Sequence, residues 1–336
     1  MLASILKQAA HIESYTFSKR VIDLFLGNSN ANLQDDLYSE PIFDGDAVNG
    51  SGLLKILYGS CADYYLQRCE NVLVKTSALS IAKVFGRNVA FIDYGPGPVE
   101  SVINKTLPIL SHLTAPKAYI PVDICHQYLV QLREYFSINF PGLNINPVCD
   151  TYYNPELNFS MLESPIVYFS GSSLFNCPGS SKRDFDKEII VRLGIIKKQL
   201  GGNGRFLVSQ DTCQDETMLI KAYGNAIMGN LITNTLKLIL RDTENRNFNP
   251  NIFKYYAAWD QQEHNVELGV ESTQAQSFYL GDQKISVPKF KRYGITNSVK
   301  YPADKFLEVC HSAGFKHSRT WKLPENPIQL HMFSTN

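Results

Sequence analysis

The stretch from Val89 to Glu100 constrains the fold of this chain more than any other part of its sequence. It begins with four apolar residues, Val89 to Ile92, which form the short run typical of a β-strand covered on both faces. Gly95 and Gly97 follow, and glycine lets a backbone turn sharply and approach a ligand closely. A helix is predicted directly after them. A strand, a glycine turn and a helix N-terminus in this order are typical of the ligand-binding turn of doubly wound α/β folds.

The residues around the two glycines indicate which ligand this turn can take. A dinucleotide-binding turn needs a third small residue, and Glu100 stands at that position. Pro96 and Pro98 lack the backbone N–H groups that would bind a pyrophosphate, and the G-K-[ST] ending of a Walker loop is absent. These features disfavour phosphate ligands and therefore an NAD-type oxidoreductase. An ordinary strand-to-helix turn stays open as an alternative.

Polar side chains end the next predicted strands. Asp123 ends the apolar run that begins at Ala118, 26 residues after Gly97. An acidic side chain about 20 residues beyond the glycines binds ribose hydroxyls in this topology. Asp150 follows near the expected end of a third strand, at the adenine edge, and Ser170 ends a fourth apolar run. Their regular order predicts a nucleoside site at one edge of a parallel sheet.

S-adenosylmethionine (SAM) is a nucleoside ligand without phosphates. The segment Asp93-x-Gly95-x-Gly97 resembles the first motif of class I methyltransferases, whose fold is a Rossmann-like, doubly wound α/β sheet. The resemblance implies SAM as the cofactor. The implied cofactor-binding residues are Asp93, Gly95, Gly97, Asp123, Asp150 and Ser170.

Composition limits the partners of the chain. The 336 residues include 32 acidic and 32 basic ones, so the basic excess of nucleic-acid-binding proteins is missing. The seven cysteines show no C-x-x-C pair, and we expect neither a disulfide framework nor a metal site. The sequence shows no convincing signal peptide and no apolar run of about 18 residues, so we expect a cytoplasmic protein that does not bind membranes. We expect a monomer that acts on a small-molecule amine.

Alternating strand and helix patterns from Val89 to about Gln210 predict a parallel sheet. Within this region a helix is predicted over 184–200, with Ser180 or Ser181 as its N-cap. A second long helix is predicted from Met218 to Arg241.

The C-terminal third is predicted to be mostly β-structure. The segment His264–Tyr279 alternates apolar and polar residues, and runs over 284–287 and 289–295 predict two more strands. A helix is predicted from Pro302 to Ala313. The last run, Ile328–Phe333, is predicted to close the sheet as an antiparallel edge strand.

Several short motifs follow one another along the chain from about Ile42 to the C-terminus. They are Phe43-Asp44, Gly50-Ser51-x-Leu53, Asp63-Tyr64-Tyr65-x-x-Arg68-x-Glu70, Pro121-Val-Asp123, Gly171-Ser-Ser-Leu-Phe-Asn176, Asp211-x-x-x-Asp215 with Ala222-Tyr223, Val266-Glu-Leu and Ser298-Val-Lys300-Tyr301. In this order they resemble the motifs of the histidine-specific Nα-methyltransferases of ergothioneine biosynthesis. Relatives of that family include fungal N-methyltransferases that act on dimethylallyl-tryptophan.

The resemblance implies two domains. The SAM-binding methyltransferase domain would comprise residues 70–213 plus 273–336. The substrate-binding domain would comprise residues 1–69 plus 214–272, and its N-terminal part includes a helix predicted from Ile5 to Phe25.

The same resemblance implies the substrate-binding residues. Tyr64, Asn176 and Tyr223 would hold the α-amino and carboxylate groups of an amino acid and so form the catalytic site. Glu267 would accept a hydrogen bond from a ring N–H of the substrate side chain. Without the resemblance, Asn176 could equally cap a helix, and Glu267 could be a solvated strand residue.

Two positions depart from the family pattern. Phe43 stands where the family has a tyrosine near the substrate, and Gly269 stands where a serine helps Glu267 to read an imidazole. A buried ring nitrogen without a partner costs roughly 1–3 kcal/mol. We therefore expect either water at this place or a substrate other than plain histidine, with a bulkier ring in the space vacated at Gly269.

The implied activity is methyl transfer from SAM to the α-amino group of histidine or of a related aromatic amino acid or derivative. We expect neither a metal nor a dedicated general base in this reaction. The alternative from another class is a non-catalytic binding or effector protein that has kept the fold.

Overall fold

The chain divides into two compact units. The computed structural model describes residues 17–27, 33–37, 42–44, 47–50, 52–179 and 184–336. The large unit comprises residues 55–176, 184–218 and 300–336, and the small unit comprises the described residues up to Leu54, those of 177–183 and residues 219–299. Of the helix predicted over 5–25, residues 17–25 are helical, and residues 5–16 lie outside the described residues.

The elements are numbered along the chain. The helices are α1 (17–26), α2 (Gln34–Leu37), α3 (Gly52–Ser60), α4 (Tyr65–Phe85), α5 (Val99–Leu110), α6 (His126–Asn139), α7 (Phe185–Leu200), α8 (Glu216–Tyr223), α9 (Ala226–Asp242) and α10 (Ala303–Ser312). The first eight strands are β1 (Ile42–Asp44), β2 (Ala47–Asn49), β3 (Ala90–Tyr94), β4 (Ala118–Asp123), β5 (Val148–Cys149), β6 (Pro165–Phe169), β7 (Asn176–Pro178) and β8 (Arg205–Asp211). The others are β9 (Asn245–Arg246), β10 (Phe253–Asp260), β11 (Asn265–Ser272), β12 (Gln276–Leu280), β13 (Gln283–Val287), β14 (Arg292–Val299), β15 (Lys316–Trp321) and β16 (Ile328–Ser334). Among the helices that the structure describes, none is long and apolar enough to span a bilayer.

The large unit is built on a seven-stranded sheet in the order β5-β4-β3-β6-β8-β16-β15. The first five strands of this order are parallel, and β16 runs antiparallel to both of its neighbours. Every residue of β3, β4 and β6 is buried, as expected of strands covered on both faces. The strand order reverses between β3 and β6, which is where doubly wound sheets form their ligand crevice. The predicted doubly wound α/β sheet is confirmed.

The C-terminal strand does not form the edge of this sheet, which corrects the sequence-based expectation for Ile328–Phe333. It lies between β8 and a further strand, β15, which forms the edge. β15 has the sequence Lys-His-Ser-Arg-Thr-Trp, and its first four residues are exposed. An edge strand whose residues are mostly exposed lacks the alternation of apolar and polar residues from which a strand is predicted.

Two helix boundaries also differ from the prediction. The N-cap of α7 is Asp184, whose side chain accepts a hydrogen bond from the N–H of Lys187, whereas Ser180 and Ser181 lie outside the described residues. The helix predicted from Met218 to Arg241 is two helices, because Asn225 caps a new one by accepting from the N–H of Met228 at 2.9 Å.

The small unit contains a four-stranded sheet in the order β10-β11-β14-β7 and a three-stranded sheet in the order β13-β12-β9. Helix α9 packs on the larger of the two sheets. Val266, Leu268 and Val270 of β11 are buried, as the alternation predicts. The segment predicted as one alternating run over 264–279 forms two strands, β11 and β12, in different sheets.

The unit boundaries differ from the predicted domain boundaries at 69/70, 213/214 and 272/273. The chain passes between units after Leu54, Asn176, Arg183, Met218 and Val299. Residues 273–299 belong to the small unit because β14 pairs with β11 along its length. Residues 55–69 belong to the large unit, in which α4 packs against α5. The unit boundaries are set by pairing between strands that are far apart in the sequence, and short local motifs do not indicate which strands pair.

A buried ion pair lies at the carboxyl end of β8. Nζ of Lys300 is 2.8 Å from Oδ2 of Asp211, and both side chains are 0% exposed. The hydroxyl of Tyr65 donates to the same oxygen at 2.7 Å, and the N–H of Cys213 donates to Oδ1 at 3.1 Å. Buried charges are tolerated where partners of this kind surround them.

Replacing Lys300 by methionine should destabilise the protein, because Asp211 then keeps a buried charge without its cation. We expect the free energy of unfolding in a denaturant titration to fall by roughly 3–5 kcal/mol. The control, Lys305→Met, removes an exposed ion pair with Asp186 and should change the free energy by less than about 1 kcal/mol. Equal losses in the two variants would contradict the importance of the buried pair.

Candidate functional site

The turn between β3 and α5 has the backbone conformation that its glycines predict. Gly95 and Gly97 have φ angles of 62° and 70°, in the left-handed region that side chains rarely adopt. The N–H of Gly95 donates to the carbonyl of Val122 at 2.9 Å, and the N–H of Gly97 donates to Oδ2 of Asp123 at 3.1 Å. The turn is therefore held against the end of the neighbouring parallel strand, β4.

Asp123 connects the glycine turn to the start of the next helix. Besides accepting from Gly97, its carboxylate accepts from the N–H of Cys125 at 2.9 Å through Oδ1. The residue is 8% exposed at the carboxyl end of β4. A carboxylate has about four lone-pair positions and can accept several hydrogen bonds at once, which suits it to the hydroxyls of a ribose.

Asp93 lies behind the turn and ties its two sides together. Its Oδ2 accepts hydrogen bonds from Thr106 at 2.6 Å and from Tyr119 at 3.0 Å, and the residue is fully buried. Thr106 belongs to α5 and Tyr119 to β4, so the carboxyl group joins β3 to both elements that flank the turn. Burial raises the pKa of Asp93 to about 6, although the hydrogen bonds from Thr106 and Tyr119 lower it. This position suits a role in shaping the turn.

Asp150 and Ser170 lie at the same edge of the sheet. The N–H of Asp150 donates to the carbonyl of Asp123 at 3.1 Å. The Asp150 carboxylate accepts from the N–H of Thr151 and from the amide of Asn154, both at 2.7 Å. Ser170 is buried directly after β6. The carboxyl ends of β3, β4, β5 and β6 thus bring the predicted cofactor residues to one edge.

The groups at this edge fit a nucleoside without phosphates. Asp123 supplies an acceptor for a diol. A Cβ at Gly95 would make only an ordinary van der Waals contact, 3.5 Å from the ring of Tyr152, so the left-handed φ angle is what favours glycine here. Pro98, which precedes α5, has no N–H, and the side chain of Glu100 is 56% exposed in an ion pair with Lys55. The helix start therefore offers no built phosphate site. Among the described residues, no group of His, Cys, Asp and Glu side chains has the arrangement of a metal site.

Two predicted substrate residues come from the N-terminal part of the chain. Tyr64 directly precedes α4, is half-buried and stacks on Tyr58 with ring centroids 6.1 Å apart. With Tyr58 and Arg68 it lines a cavity of about 410 Å³ formed by α3 and α4, a volume typical of small-molecule pockets. Phe43 lies in β1 and pairs with Val48, but its side chain lies outside what the structure describes.

Asn176 follows a 3₁₀ turn over Ser173–Phe175 at the end of the loop after β6. It is half-buried, and its carbonyl accepts a hydrogen bond from Nη1 of Arg192 at 2.6 Å. The backbone that carries its carboxamide is therefore fixed by a buried side chain of α7.

Tyr223 is the last residue of α8 and is buried. Its hydroxyl lies 3.0 Å from Oγ of Ser298, and its carbonyl accepts from the hydroxyl of Tyr255 at 2.7 Å. Ser298 belongs to one of the sequence motifs, but it was not predicted as a site residue. The contact between Ser298 and Tyr223 depends on the register in which β14 pairs with β11, and the spacing of the motifs does not predict that register.

The space beside Gly269 is filled, which corrects the expectation of a vacated pocket there. A Cβ at Gly269 would lie 2.2 Å from the carbonyl oxygen of Tyr293 and 2.8 Å from the hydroxyl of Tyr256. That hydroxyl donates to Oε1 of Glu267 at 2.5 Å. Burial and the carboxylate of Glu267 raise the pKa of Tyr256 above its usual value, so the phenol stays a donor. The ring of Tyr256 occupies the place in which a substrate ring was expected.

Glu267 and Tyr223 lie on opposite faces of the four-stranded sheet. Ser298 pairs with Val266 across β14 and β11, so the contact between Ser298 and Tyr223 is on the Val266 face. Glu267 is the next residue of β11 and therefore points to the other face. The structure does not bring Glu267 and Tyr223 together in one amino-acid site.

Comparisons with known proteins point to one family. A family model described as "Histidine-specific methyltransferase, SAM-dependent" matches residues 49–335. The "Histidine N-alpha-methyltransferase" of Mycolicibacterium smegmatis is 20% identical over 272 residues, which cover 80% of this chain and 82% of that protein. The "N-methyltransferase imqF" of Aspergillus flavus is 21% identical over 271 residues, covering 77% and 71%.

Solved structures similar to this chain include an S-adenosylmethionine-dependent methyltransferase from Clostridium acetobutylicum. The two are 12% identical with a TM-score of 0.43, and the match covers 84% of this chain and 96% of that one. The PH0226 protein from Pyrococcus horikoshii is also 12% identical, with a TM-score of 0.44 and coverage of 84% and 97%.

Burial of Asp93 should give the stability of the protein a defined pH dependence. Because its pKa rises from 3.8 to about 6 on folding, the folded state binds this proton more tightly than the unfolded state does. Stability is therefore lost as the pH rises through the window from about 4 to about 6. In Asp93→Asn this loss is absent, so the variant should gain on the order of 3 kcal/mol relative to wild type between about pH 4 and about pH 7.

Denaturant titrations of both proteins at the two pH values measure this gain. A difference in unfolding free energy that stays constant between the two pH values would show that burial does not perturb Asp93.

Proposed function

Because the chain belongs to the histidine-specific, SAM-dependent methyltransferase family, we propose that its acceptor is the α-amino nitrogen of histidine or of a related aromatic amino acid. The chain is a SAM-dependent N-methyltransferase, and SAM is its cofactor. One observation carries the choice of acceptor: the chain has the family's Tyr64, Asn176 and Tyr223. The buried side chain of Arg192 fixes the carbonyl of Asn176 and the half-buried side chain of Tyr255 fixes that of Tyr223, as expected for residues that must present their side chains accurately.

We propose that the large unit holds the cofactor at the carboxyl edge of its sheet. Asp123 would accept the ribose hydroxyls, and Gly95 and Gly97 would let the backbone approach the methionine part closely. Asp150 would lie toward the adenine, and Asp93 would act by shaping the turn. When bound, SAM supplies an electrophilic methyl group carried on a sulfonium.

The residues of the chain must present a neutral amine to this methyl group. The carboxamide oxygen of Asn176 and the hydroxyl of Tyr64 are uncharged acceptors. They can orient the N–H groups without stabilising the ammonium form, as a carboxylate would. The hydroxyl of Tyr223, held by Ser298, would bind the substrate carboxylate. Positioning of this kind can lower the barrier by up to about 7–11 kcal/mol.

The side chain of the acceptor should meet apolar and uncharged groups. Thr296 and Leu268 pair across β14 and β11 and lie on the same face as Ser298, and all three are buried. We assign no direct contact to Glu267 or Gly269, because they lie on the opposite face. An aromatic ring fits such surroundings, and Phe43 stays a proposed contact.

The cellular setting is a further part of the proposal. The seven cysteines are thiols and not parts of disulfides, which suits a reducing compartment such as the cytoplasm. If histidine is the acceptor, its Nα-methylated product belongs to the chemistry of ergothioneine-type biosynthesis.

The acceptor can be identified directly. The purified protein is incubated with methyl-labelled SAM and a mixture of the standard amino acids, and products are identified by mass spectrometry. We expect label on the α-nitrogen of histidine or of another aromatic amino acid. Label found only on aliphatic or acidic amino acids, or on none of them, would contradict the proposed acceptor.

Asp123→Asn tests the cofactor site. The substitution keeps the shape of the side chain but removes the charge that strengthens hydrogen bonds to a ribose, so the Kd for SAM should rise roughly tenfold to a hundredfold. Isothermal titration calorimetry measures this change. The control, Asp304→Asn, changes an exposed residue in the first turn of α10 and should leave the Kd within about twofold of wild type. An unchanged Kd in Asp123→Asn would refute the assignment of this carboxylate.

A further inference from the structure

The loop that joins β6 to Asn176, residues 170–176, has an irregular backbone. Gly171 and Ser172 are both left-handed, with φ angles of 70° and 55°. Left-handed backbone is unfavourable for a serine and persists where the surroundings impose it. A loop of this kind needs support from outside its own backbone to hold one conformation.

One support acts at the beginning of the loop. Oε1 of Glu70, from α4, accepts a hydrogen bond from the N–H of Gly171 at 2.8 Å. Nζ of Lys105, from α5, lies 3.7 Å from Oε2 of Glu70, and the two side chains are 4% and 2% exposed. Nζ of Lys105 would be 3.5 Å from a Cβ at position 171, so the cation sits directly over the glycine.

A second support acts at the end of the loop. Nη1 of Arg192 donates to the carbonyls of Leu174 at 3.2 Å and of Asn176 at 2.6 Å. Nη2 of the same guanidinium donates to Glu188 at 2.7 Å, one turn earlier on α7. The guanidinium also lies over the ring of Tyr153, with Cζ 4.8 Å from its centroid. Arg192 is 8% exposed, so its hydrogen bonds are largely shielded from water.

We propose that Arg192, oriented by Glu188, is a positioning residue for methyl transfer. It fixes the backbone of Asn176 and so aims the Asn176 carboxamide at the amino group of the acceptor. The inference rests on the proposed function, in which Asn176 contacts that amino group. A planar guanidinium is needed because it serves two carbonyls and one carboxylate at once, which a lysine ammonium cannot do in the same geometry.

Arg192→Lys tests this role, and the chain offers a matched control. Arg205 also donates to two main-chain carbonyls, those of Val84 and Phe85, each at 2.8 Å. It begins β8 and therefore lies at the amino edge of the sheet, away from the loop. We expect Arg192→Lys to raise the KM for the amino acid about tenfold, with the Kd for SAM within about twofold of wild type. Arg205→Lys should lower the Tm but leave both constants within about twofold.

A double-mutant cycle asks whether Arg192 acts through Asn176. Asn176→Ala alone should lower kcat/KM for the amino acid, and adding Arg192→Lys to it should lower kcat/KM no further than about twofold. Multiplicative losses in the double variant would overturn the proposal. So would an unchanged KM in Arg192→Lys, or an equal rise in KM in Arg205→Lys.

Failure of the proposed function is distinguishable from failure of this inference. A wild-type protein that binds SAM but methylates no amino acid overturns both. An active wild type with an unchanged KM in Arg192→Lys overturns the positioning role alone.

Discussion

The geometry of the cofactor edge depends on the way in which the turn after β3 is held against β4. Two left-handed glycines let the chain reverse at the carboxyl edge of the sheet, and their N–H groups are bonded to Val122 and Asp123. The carboxylate that is expected to meet the ribose therefore also fixes the backbone that lines the site. A change in the turn would move the carboxylate, and a change in the carboxylate would loosen the turn. Cofactor binding and local structure are thus coupled through Asp123.

Two buried ion pairs lie near the carboxyl edge of the large sheet. Lys300 and Asp211 form a fully buried pair at the end of β8, and Lys105 and Glu70 form another beside the loop after β6. Burying such pairs contributes little net stability, because desolvation offsets the attraction between the charges. Such pairs can specify geometry, because an arrangement that separates the partners leaves a buried charge unpaired. We interpret them as the means by which loops at this edge keep fixed conformations.

Part of this molecule could be predicted from the sequence because its signals are local. The apolar run before Gly95, the two glycines and the carboxylate at Asp123 lie within short segments, and their order along the chain identifies the fold. The strand over 316–321 was missed because an exposed edge strand needs no hydrophobic pattern. The two helices of the region 216–242 were predicted as one because apolar residues recur along both of them, whereas the break between them depends on the capping residue Asn225.

The substrate-binding residues were harder to predict, because they depend on strand register. Alternation along β11 places Glu267 opposite the face that carries Ser298, and the sequence does not say which residue of β14 pairs with which residue of β11. The position of the family's serine, Gly269, was predicted to leave empty space, whereas Tyr256, thirteen residues earlier along the chain, fills it. Long-range packing of this kind leaves no trace in a short motif.

A crystal structure of the protein with S-adenosylhomocysteine tests the proposed cofactor site most directly. We expect the ribose hydroxyls within hydrogen-bond distance of the Asp123 carboxylate, at about 2.5–3.0 Å, and the amino-acid part of the ligand beside Gly95 and Gly97. A nucleoside bound elsewhere, or a ribose that makes no contact with Asp123, would contradict it.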